Sequence, residues 1–297
     1  MNDVLIIIVT YNRLNLLKRC LNNCNYQSFK SRDIIVIDNN STDGTFDFLE
    51  NNGINNIKLN ENLGSAMGWN QGLKYALNKN YKYVWLMDDD GYPERTSLQN
   101  LLNNFDYQYS CISSLVVCED DKNKLVFSMP IINRKKFKLN LHKFKKVNFV
   151  KQYSKNNLYE FAHLFNGSLI RLNTVKKIGN INNKYFMYGD ELDYYFRLSK
   201  VGRVVTCVNS LHLHPNVENR KCSKFWIYYY LKNSIIINKK YRNLYFIRSS
   251  LIIFLCLYRV LLRNGFRDFF KILFFNKYKF YNAIFNGFIE KIGNELK

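Results

Sequence analysis

Short apolar runs alternate with segments of helical periodicity over the first 110 residues, and this alternation is the feature that most constrains the fold. Apolar runs of strand length occupy residues 4–10, 33–39 and 83–88, and residues 57–60 add a shorter one. Runs without polar alternation are typical of strands buried on both faces. Because segments with helical spacing lie between these runs, the pattern predicts an α/β fold with helices on both faces of a largely parallel sheet.

Strand and helix signals continue beyond residue 110 in a less regular order. Strands are predicted at 111–117 and 125–132, and a short helix is predicted at 174–178. A polar turn enters an amphipathic helix at 187–202, and the strand predicted at 203–215 leads into a loop with two histidines. The sheet is therefore expected to become mixed in this second half.

The formal net charge of +21 is concentrated in two segments. Residues 220–297 contain 16 Lys and Arg against 3 acidic residues, and residues 133–151 contain 8 without any acid. The second segment interleaves Lys with Phe, which predicts a flexible loop or an exposed ribbon. A neutral body with two basic segments predicts an anionic partner, either lipid or nucleic acid. The sequence lacks helix-turn-helix, zinc and RNP signatures, which disfavours nucleic acid.

Polar residues follow three of the predicted strands at their carboxyl ends. They occupy residues 10–13, residues 38–44 and the acidic triplet at 88–90. Ligands of open parallel sheets bind at the carboxyl ends of the strands. The three polar segments are therefore expected to meet in one crevice.

The acidic triplet Asp88, Asp89 and Asp90 predicts a site for a divalent cation. Side chains alternate along a strand, so Asp88 and Asp90 are expected to face the crevice and Asp89 to point away as the most expendable of the three. Mg²⁺ or Mn²⁺ is typically held by one or two carboxylates, with phosphate oxygens and water completing the coordination. Such a cation neutralises a diphosphate leaving group.

Several motifs occur together in one order and carry a family resemblance. As a set they resemble the inverting glycosyltransferases of family 2, which have the nucleotide-sugar fold called GT-A, and the resemblance covers roughly residues 3–235. Within that family the acidic motif is most similar to bacterial galactofuranosyltransferases, with rhamnosyltransferases next. The motifs are "VTYNR", "VIDNNSTDGT", "NENLGSAMGWNQGL", "WLMDDDGYP", "FNGSLI", "GDELDYYFR" and "YYYLKN".

The resemblance implies a metal site and a donor site. Asp90 matches the metal ligand, and a histidine after the later strand often completes the site. His214 and His212 are the two candidates, and His214 is preferred because it lies nearer the end of the strand. The positions that match donor-binding residues are Thr10, Tyr11, Arg13, Asp38, Asn62, Gly64, Trp69, Asn70, Asp88 and Asp89.

An inverting transfer needs one general base, and a carboxylate within reach of the acceptor hydroxyl suffices. In the family the base is usually an Asp six residues before an Arg, and counting back from Arg197 leads to Glu191. Because Glu replaces Asp there, Asp190 is the alternative base. Asp193 is expected to position the acceptor.

Aromatic and basic residues interleave from residue 224 to residue 291. Amphipathic basic helices of this kind lie in the membrane interface, where anionic lipid contributes roughly 1 kcal/mol per nearby Lys or Arg. The apolar run at 251–258 is shorter than the about 20 residues needed to span a bilayer. We therefore expect a GT-A catalytic domain at 1–220, divided near residue 110 into nucleotide-sugar and acceptor halves, and a membrane-associating helical region at 221–297.

Together these features predict a metal-dependent inverting glycosyltransferase that uses a UDP-sugar or a dTDP-sugar. The best prediction is transfer of galactofuranose from UDP-galactofuranose onto a lipid-linked surface polysaccharide, such as an O-antigen or a capsule. The seven Cys form no CxxC pair, which indicates reduced thiols, a cytoplasmic location and peripheral attachment to the inner face of a bacterial membrane. The alternatives are a rhamnosyl- or other hexosyltransferase, an inactive GT-A assembly subunit and a nucleic-acid-binding protein.

Overall fold

A mixed β-sheet organises the first two thirds of the chain in the computed structural model, which describes residues 3–132 and 143–296. Eleven strands are present within these residues. They are β1 Val4–Thr10, β2 Asp33–Asp38, β3 Asn56–Lys58, β4 Tyr83–Asp88, β5 Tyr92–Pro93, β6 Tyr109–Cys118, β7 Lys124–Pro130, β8 Lys143–Lys146, β9 Leu158–Tyr159, β10 Asn166–Arg171 and β11 Arg203–His214.

Helices connect the strands and form the whole of the described chain after residue 223, apart from short connections and the last residues. Two 3₁₀ turns occur at Asn183–Tyr185 and Lys277–Lys279. The helices are α1 Leu14–Asn25, α2 Thr45–Asn51, α3 Ser65–Leu77, α4 Ser97–Asn103, α5 Val147–Gln152, α6 Leu172–Ile178, α7 Asp190–Ser199, α8 Lys224–Tyr241, α9 Tyr245–Asn264, α10 Phe266–Phe275 and α11 Phe280–Phe288.

The chain divides into two compact units. The sheet unit comprises the described residues up to 62 together with those in 68–180 and 197–216. The helical unit comprises residues 63–67, 181–196 and 217 onward, so it contains the first turn of α3 and most of α7. The division at residue 220 that the sequence suggests stays a prediction.

The strand order confirms the predicted α/β sheet and shows where it becomes mixed. The main order is β3-β2-β1-β4-β10-β6-β11-β5. Strands β1 to β4 are parallel, β10 runs antiparallel to both of its neighbours, and β11 is parallel to β6. Apolar residues fill the central strands, and every residue of β1 is buried. The parallel part is thus the segment in which strands and helices alternate in sequence.

The register of the parallel strands brings their polar ends into one row. Thr10 is the register partner of Asp38, and Val9 is the partner of Asp88. The backbone N–H of Asn39 donates to the carbonyl of Thr10 at 2.9 Å, which joins the two loops directly. The predicted meeting of the strand ends is therefore confirmed for β1, β2 and β4.

The helical unit has its own apolar core, built around α8. Ile227, Tyr228 and Leu231 are fully buried and pack in one cluster with residues of α9, α10 and α11. Lys232 is also buried, and its Nζ donates to the carbonyl of Gly293 at 2.7 Å and contacts the Glu295 carboxylate at 2.9 Å. A charge so placed needs partners, so these contacts fix the end of the chain against α8.

The structure changes the expectation about the apolar run and bears out part of the expectation of an exposed ribbon. The apolar run at 251–258 belongs to the 20-residue helix α9, which is long and apolar enough to cross a membrane by length and composition, with only 17% of its most apolar window buried. The eight-residue estimate was too short because the flanking residues are also helical. In the basic segment at 133–151, residues 143–146 pair as β8 with β7 and residues 147–151 start α5, while residues 133–142 lie outside the described residues.

Candidate active site

A carboxylate at the ends of β1 and β2 has one oxygen without a hydrogen-bond partner among the described residues. Asp38 is fully buried, and its Oδ1 accepts from the backbone N–H of Ser41 at 2.9 Å. Its Oδ2 has no hydrogen-bond partner in the described chain. Buried carboxylate oxygens are nearly always satisfied, so this atom fits a ligand that brings an N–H or O–H group. Tyr11, the residue after β1, has 42% of its surface exposed.

The acidic triplet departs from the alternation expected of a strand. Strand β4 ends at Asp88, so Asp89 and Asp90 lie in the following turn and both are buried. Asp89 does not point away. Its Oδ2 accepts from the Thr10 hydroxyl at 2.7 Å, and its Oδ1 pairs with Arg13 at 3.0 Å. The prediction that Asp89 points away is therefore wrong, because its side chain ties the end of β4 to the end of β1.

Arg13 bridges two carboxylates of this turn. One guanidinium nitrogen lies 3.0 Å from Asp89 and 2.9 Å from Asp90. Burial raises the pKa of the Asp89 carboxyl, whereas Arg13 and the Thr10 hydroxyl oppose that rise. Arg13 keeps 40% of its side chain exposed, so a cationic group remains accessible at this edge.

Asp90 and His214 present two ligating atoms to one point. Asp90 Oδ1 lies 3.1 Å from His214 Nε2, and both side chains are buried. His214 Nδ1 is 2.7 Å from the carbonyl oxygen of Pro215, an acceptor, so Nδ1 carries the proton. In a neutral imidazole, Nε2 then faces Asp90 with a lone pair. Two ligands bound at about 2.1 Å and at right angles on an octahedral cation lie about 3.0 Å apart, so the pair fits Mg²⁺ or Mn²⁺.

Asp90 and His214 are a pair of possible ligands and not part of a larger cluster in the described chain. No group of three or more His, Cys, Asp and Glu side chains in residues 3–132 and 143–296 is arranged to hold a metal. Two protein ligands suit a cation whose remaining positions are filled by diphosphate oxygens and water. The carbonyl on the Nδ1 side of His214 is the partner that metal-binding imidazoles commonly have.

His212 takes a different place from His214. Both were expected in a loop, whereas the structure places both in strand β11. His212 is fully buried, and neither ring nitrogen has a hydrogen-bond partner among the described residues. Burial lowers the pKa of His212 to about 3, with a smaller contribution from His214. The ring fills the space above Gly91, where a Cβ atom would lie 2.2 Å from Nε2.

Two residues at this edge were not singled out from the sequence. Arg19 on α1 donates to the backbone carbonyl of Asp90 at 2.8 Å and pairs with Glu119 at 2.7 Å. It therefore connects the acidic turn to α1. Asn166, the second residue of the "FNGSLI" motif, is buried and has an unpaired Oδ1 among the described residues. The quoted motif contains Asn166 and could have identified it, whereas nothing in the sequence around Arg19 marks its contact.

The remaining positions predicted to bind the donor differ in burial and in the unit to which they belong. Trp69 is buried and stacks on Phe165 with ring centroids 4.7 Å apart, so it packs in the core of the sheet unit. Asn62 and Asn70 are half-buried in the same unit. Gly64 belongs to the helical unit, where its φ of 84° is a conformation that suits glycine.

The candidate base lies in the helical unit at the start of α7. Asp190 is buried, and its Oδ2 accepts from the Ser65 hydroxyl at 3.3 Å. Burial raises the pKa of Asp190 to about 6, with a smaller contribution from the charge of Glu191. Glu191 is itself half-buried. Asp190 and Glu191 are thus both candidates for the general base.

Asp193 differs from the prediction that it positions the acceptor. It is almost fully buried, and its Oδ1 is bound by Lys240 Nζ at 2.8 Å and by the Tyr241 hydroxyl at 2.7 Å. Because this oxygen is committed to the end of α8, the structure gives Asp193 an anchoring role between α7 and α8. A helix N-terminus favours carboxylates in any case.

Comparison with known proteins places these features in a family. Residues 5–169 match the family described as Glycosyl transferase family 2. Galactofuranosyltransferase GlfT1 of Mycolicibacterium smegmatis is 29% identical over 217 residues, which make up 70% of this chain and 70% of that protein.

Solved glycosyltransferase structures share the fold at low sequence identity. The mannosyltransferase PcManGT from Pyrobaculum calidifontis, in complex with GDP-Man and Mn²⁺, has a TM-score of 0.56 at 14% identity and covers 97% of this chain and 85% of its own. GalNAc-T7 with UDP, GalNAc and Mn²⁺ has a TM-score of 0.61 at 14% identity over 82% of this chain, which spans 48% of that chain. The family match covers more than half of the chain. The protein therefore belongs to glycosyl transferase family 2 and is a glycosyltransferase with the GT-A fold.

Proposed function

We propose that this glycosyltransferase moves a sugar from a nucleotide diphosphate donor with inversion at the anomeric carbon, and that Mn²⁺ or Mg²⁺ is required. The observation that carries the proposal is the pair of ligating atoms on Asp90 and His214, 3.1 Å apart. Arg13 adds an accessible positive charge beside them. This combination suits a diphosphate, which brings negative charge and metal-binding oxygens together.

The nucleoside is proposed to bind at the ends of β1 and β2. The unpaired Oδ2 of Asp38 accepts a hydrogen bond from a ribose hydroxyl or from a uracil N–H. Thr10 and Tyr11 border the same edge, where the register places Thr10 opposite Asp38. A UDP-sugar or a dTDP-sugar meets these requirements, because both bases carry an imide N–H.

Asp90 Oδ1 and His214 Nε2 are the atoms that would hold the cation. When bound, a divalent cation supplies neutralisation of the diphosphate as it leaves. Asp89 holds Arg13 and Thr10 in place, so it supports the diphosphate site without contacting the metal. Arg19 keeps the backbone of Asp90 fixed.

A carboxylate at the start of α7 is proposed to take the proton of the acceptor hydroxyl. The hydroxyl oxygen forms a bond to the anomeric carbon while the bond from that carbon to the diphosphate oxygen breaks. The diphosphate leaves with the electron pair, and one such displacement inverts the configuration. The raised pKa of Asp190, about 6, lies near the pH at which a general base works best, whereas the family resemblance favours Glu191.

Galactofuranose is the proposed sugar, and UDP-galactofuranose the proposed donor. The support is the match to a galactofuranosyltransferase along 70% of the chain. Rhamnose or another hexose is the alternative, because sugars of this family differ by hydroxyl groups that few loop residues read.

A donor panel with purified protein tests the proposed sugar. Release of UDP or dTDP is measured with UDP-galactofuranose, UDP-galactopyranose, UDP-glucose and dTDP-rhamnose, each with Mn²⁺, with Mg²⁺ and with EDTA. We expect release from UDP-galactofuranose that EDTA abolishes. Equal release with EDTA would overturn the metal requirement, and preference for another donor would replace galactofuranose.

The acceptor is proposed to be a lipid-linked surface polysaccharide at the inner face of a bacterial membrane. Residues 242–279 contain eight Lys and Arg and one acid, Asp268, which is paired with Lys277 at 2.6 Å. Basic helices with exposed aromatic side chains suit an anionic bilayer surface. Five Phe side chains of the last three helices are between 63% and 79% exposed: Phe254, Phe266, Phe274, Phe275 and Phe285.

Flotation with vesicles tests this membrane surface on the full-length protein. We expect binding to vesicles that contain phosphatidylglycerol and about tenfold weaker binding when Phe274→Ser and Phe275→Ser are combined. Tyr107→Ser is the matched control, since Tyr107 is 89% exposed in the sheet unit. Equal binding by the double variant would remove the role of α10. Resistance to carbonate extraction would instead indicate that α9 spans the bilayer.

A further inference from the structure

The motif "YYYLKN" ends at Asn233, a fully buried residue of α8 that the catalytic proposal leaves unused. Its Nδ2 donates two hydrogen bonds to backbone carbonyls, to Tyr185 at 3.2 Å and to Met187 at 2.6 Å. A buried amide is costly to place unless it is bonded. Both of its bonds go to the short segment that leads into α7.

That segment has an unusual backbone conformation. Phe186 has φ 58° and ψ −62°, and the N–H of Met187 donates to the carbonyl of Tyr185 at 2.6 Å. These values describe a γ-turn of the rarer, strained hand. Tyr188 also has a positive φ, of 63°. Such conformations persist only when surrounding contacts hold them.

Asn233 bonds to the carbonyls on either side of this turn. A second contact joins the turn to the start of α3. The carbonyl of Phe186 accepts from the backbone N–H of Ala66 at 3.2 Å. The neighbouring Ser65 hydroxyl contacts Asp190 at 3.3 Å. The turn and the candidate base are therefore linked to the same end of α3.

Close packing leaves no slack between the turn and α7. A Cβ atom at Gly189 would lie 2.6 Å from the Tyr185 ring and 2.8 Å from the Cβ of Asn233. Gly189 immediately precedes Asp190, the first residue of α7. The start of the helix is thus pressed directly against Asn233.

We propose that Asn233 is a positioning residue for the general base: its side-chain amide holds the γ-turn at Phe186 and thereby fixes the Asp190 carboxylate at the start of α7. The inference rests on the proposed assignment of the base to residues 190–191. Without the amide the turn relaxes to an ordinary conformation, and Asp190 loses its fixed place and gains water.

The test compares Asn233→Leu with Asn238→Leu in the full-length protein. Leu keeps the branched shape and the number of heavy atoms of Asn and removes the amide, so the site remains filled. Asn238 is the matched control because it is buried on the same helix but donates to Ser249 at 3.5 Å, away from the turn. The readouts are kcat, donor KM, UDP affinity by calorimetry and the pH profile of kcat.

For Asn233→Leu we expect kcat to fall about 10- to 100-fold with donor KM and UDP affinity unchanged. The acid limb of the kcat profile should shift from about 6 towards the ordinary Asp value of about 4 as Asp190 becomes hydrated. Asn238→Leu should leave kcat and the limb unchanged. If Asn233→Leu does not fold, Asn233→Ser, which retains one donor, should show the same shift to a smaller extent.

Two results would overturn the inference. One is a wild-type kcat and acid limb in Asn233→Leu, and the other is an equal effect in the Asn238 control. Asp190→Asn and Glu191→Gln separate this failure from failure of the proposed function. If both retain full kcat, the base assignment is wrong, whereas if either loses activity while Asn233→Leu does not, only the positioning role is wrong.

Discussion

Two buried carboxylates, Asp90 in the sheet unit and Asp190 in the helical unit, have opposite surroundings. Asp90 contacts Arg13 through one oxygen and His214 through the other. Asp190 has a serine hydroxyl and its own helix N-terminus, and its strongest charged neighbour is the like charge of Glu191. The same side chain is therefore surrounded by positive and ligating groups in one unit and left with little compensation in the other.

The difference teaches how one residue type supports two tasks. A carboxylate paired with a cation stays ionised and attracts further positive charge, whereas a carboxylate that is buried without one takes up a proton more readily. A pKa of about 6 for Asp190 means that it is ionised at neutral pH and still basic enough to accept a proton. The five predictions below test this contrast, in order of decreasing effect.

Removing the base should have the largest effect. Asp190→Asn is expected to lower kcat about 10²- to 10⁴-fold and to abolish the acid limb near 6, because the proton acceptor is lost. Glu191→Gln is the paired variant, and steady-state kinetics from about pH 5 to pH 9 compares them. If only Glu191→Gln is inactive, the base is Glu191 and the contrast between the two Asp residues has no catalytic meaning.

Asp190→Asn should lower activity but raise stability. Burial raises the folded-state pKa of Asp190 above its ordinary value, so the folded protein loses stability as pH rises through that window. At about pH 8, Asp190→Asn should therefore have a free energy of unfolding on the order of 3 kcal/mol higher than wild type, measured by denaturant titration. At about pH 4 we expect no gain. Equal stability of both proteins at both pH values would contradict the claim that the Asp190 charge is poorly compensated.

Removing the Asp90 carboxylate of the sheet unit should have the next largest effect. Asp90→Asn is expected to lower transfer about 10²- to 10³-fold, because the diphosphate loses the cation that neutralises it. Mn²⁺ binding in the presence of UDP, measured by electron paramagnetic resonance, should weaken in parallel. Full Mn²⁺ affinity in this variant would show that Asp90 is not a ligand.

Of the two histidines of β11, His214 should affect metal binding and His212 should affect stability. His214→Ala is expected to weaken Mn²⁺ binding about 10- to 100-fold, whereas His212→Leu should lower thermal stability and leave Mn²⁺ affinity near wild type. Calorimetric titration with Mn²⁺ and UDP measures the first effect, and a melting curve measures the second. A larger loss of Mn²⁺ affinity in His212→Leu would reverse the assignment.

The smallest effect is expected for the cation beside Asp90. Arg13→Gln should raise donor KM about tenfold with a smaller change in kcat, because an accessible charge on the diphosphate is lost. Arg32→Gln serves as the control, since Arg32 is half-exposed in the same unit and pairs with Asp33. An unchanged KM in Arg13→Gln would mean that Arg13 serves only to compensate Asp89 and Asp90.

Periodicity predicted the parallel part of the sheet because strands buried on both faces have continuous apolar sequences. It also predicted that Asp38 and the triplet would meet, since the carboxyl ends of parallel strands lie at the same edge of a sheet. The orientation of Asp89 was not predictable in this way. Alternation holds only inside a strand, and β4 ends at Asp88, two residues before the end of the triplet.

Contacts between distant segments account for the other differences. Nothing local to Lys240 or Tyr241 signals that both bind Asp193, and nothing near Arg19 signals its bond to the backbone of Asp90. Such contacts depend on tertiary packing, which one sequence does not encode in a readable pattern. The apolar length of α9 was underestimated for a local reason, because only the uninterrupted run at 251–258 was counted, whereas the helix extends from Tyr245 to Asn264.

The ring of His212 above Gly91 has a consequence for engineering this enzyme. Position 91 follows the acidic turn directly, yet any side chain there collides with the imidazole. A library that randomises position 91 alone would consist mostly of clashing variants. Varying residues 91 and 212 together would open a volume under the turn, so new donor preferences should arise from paired changes and not from either change alone.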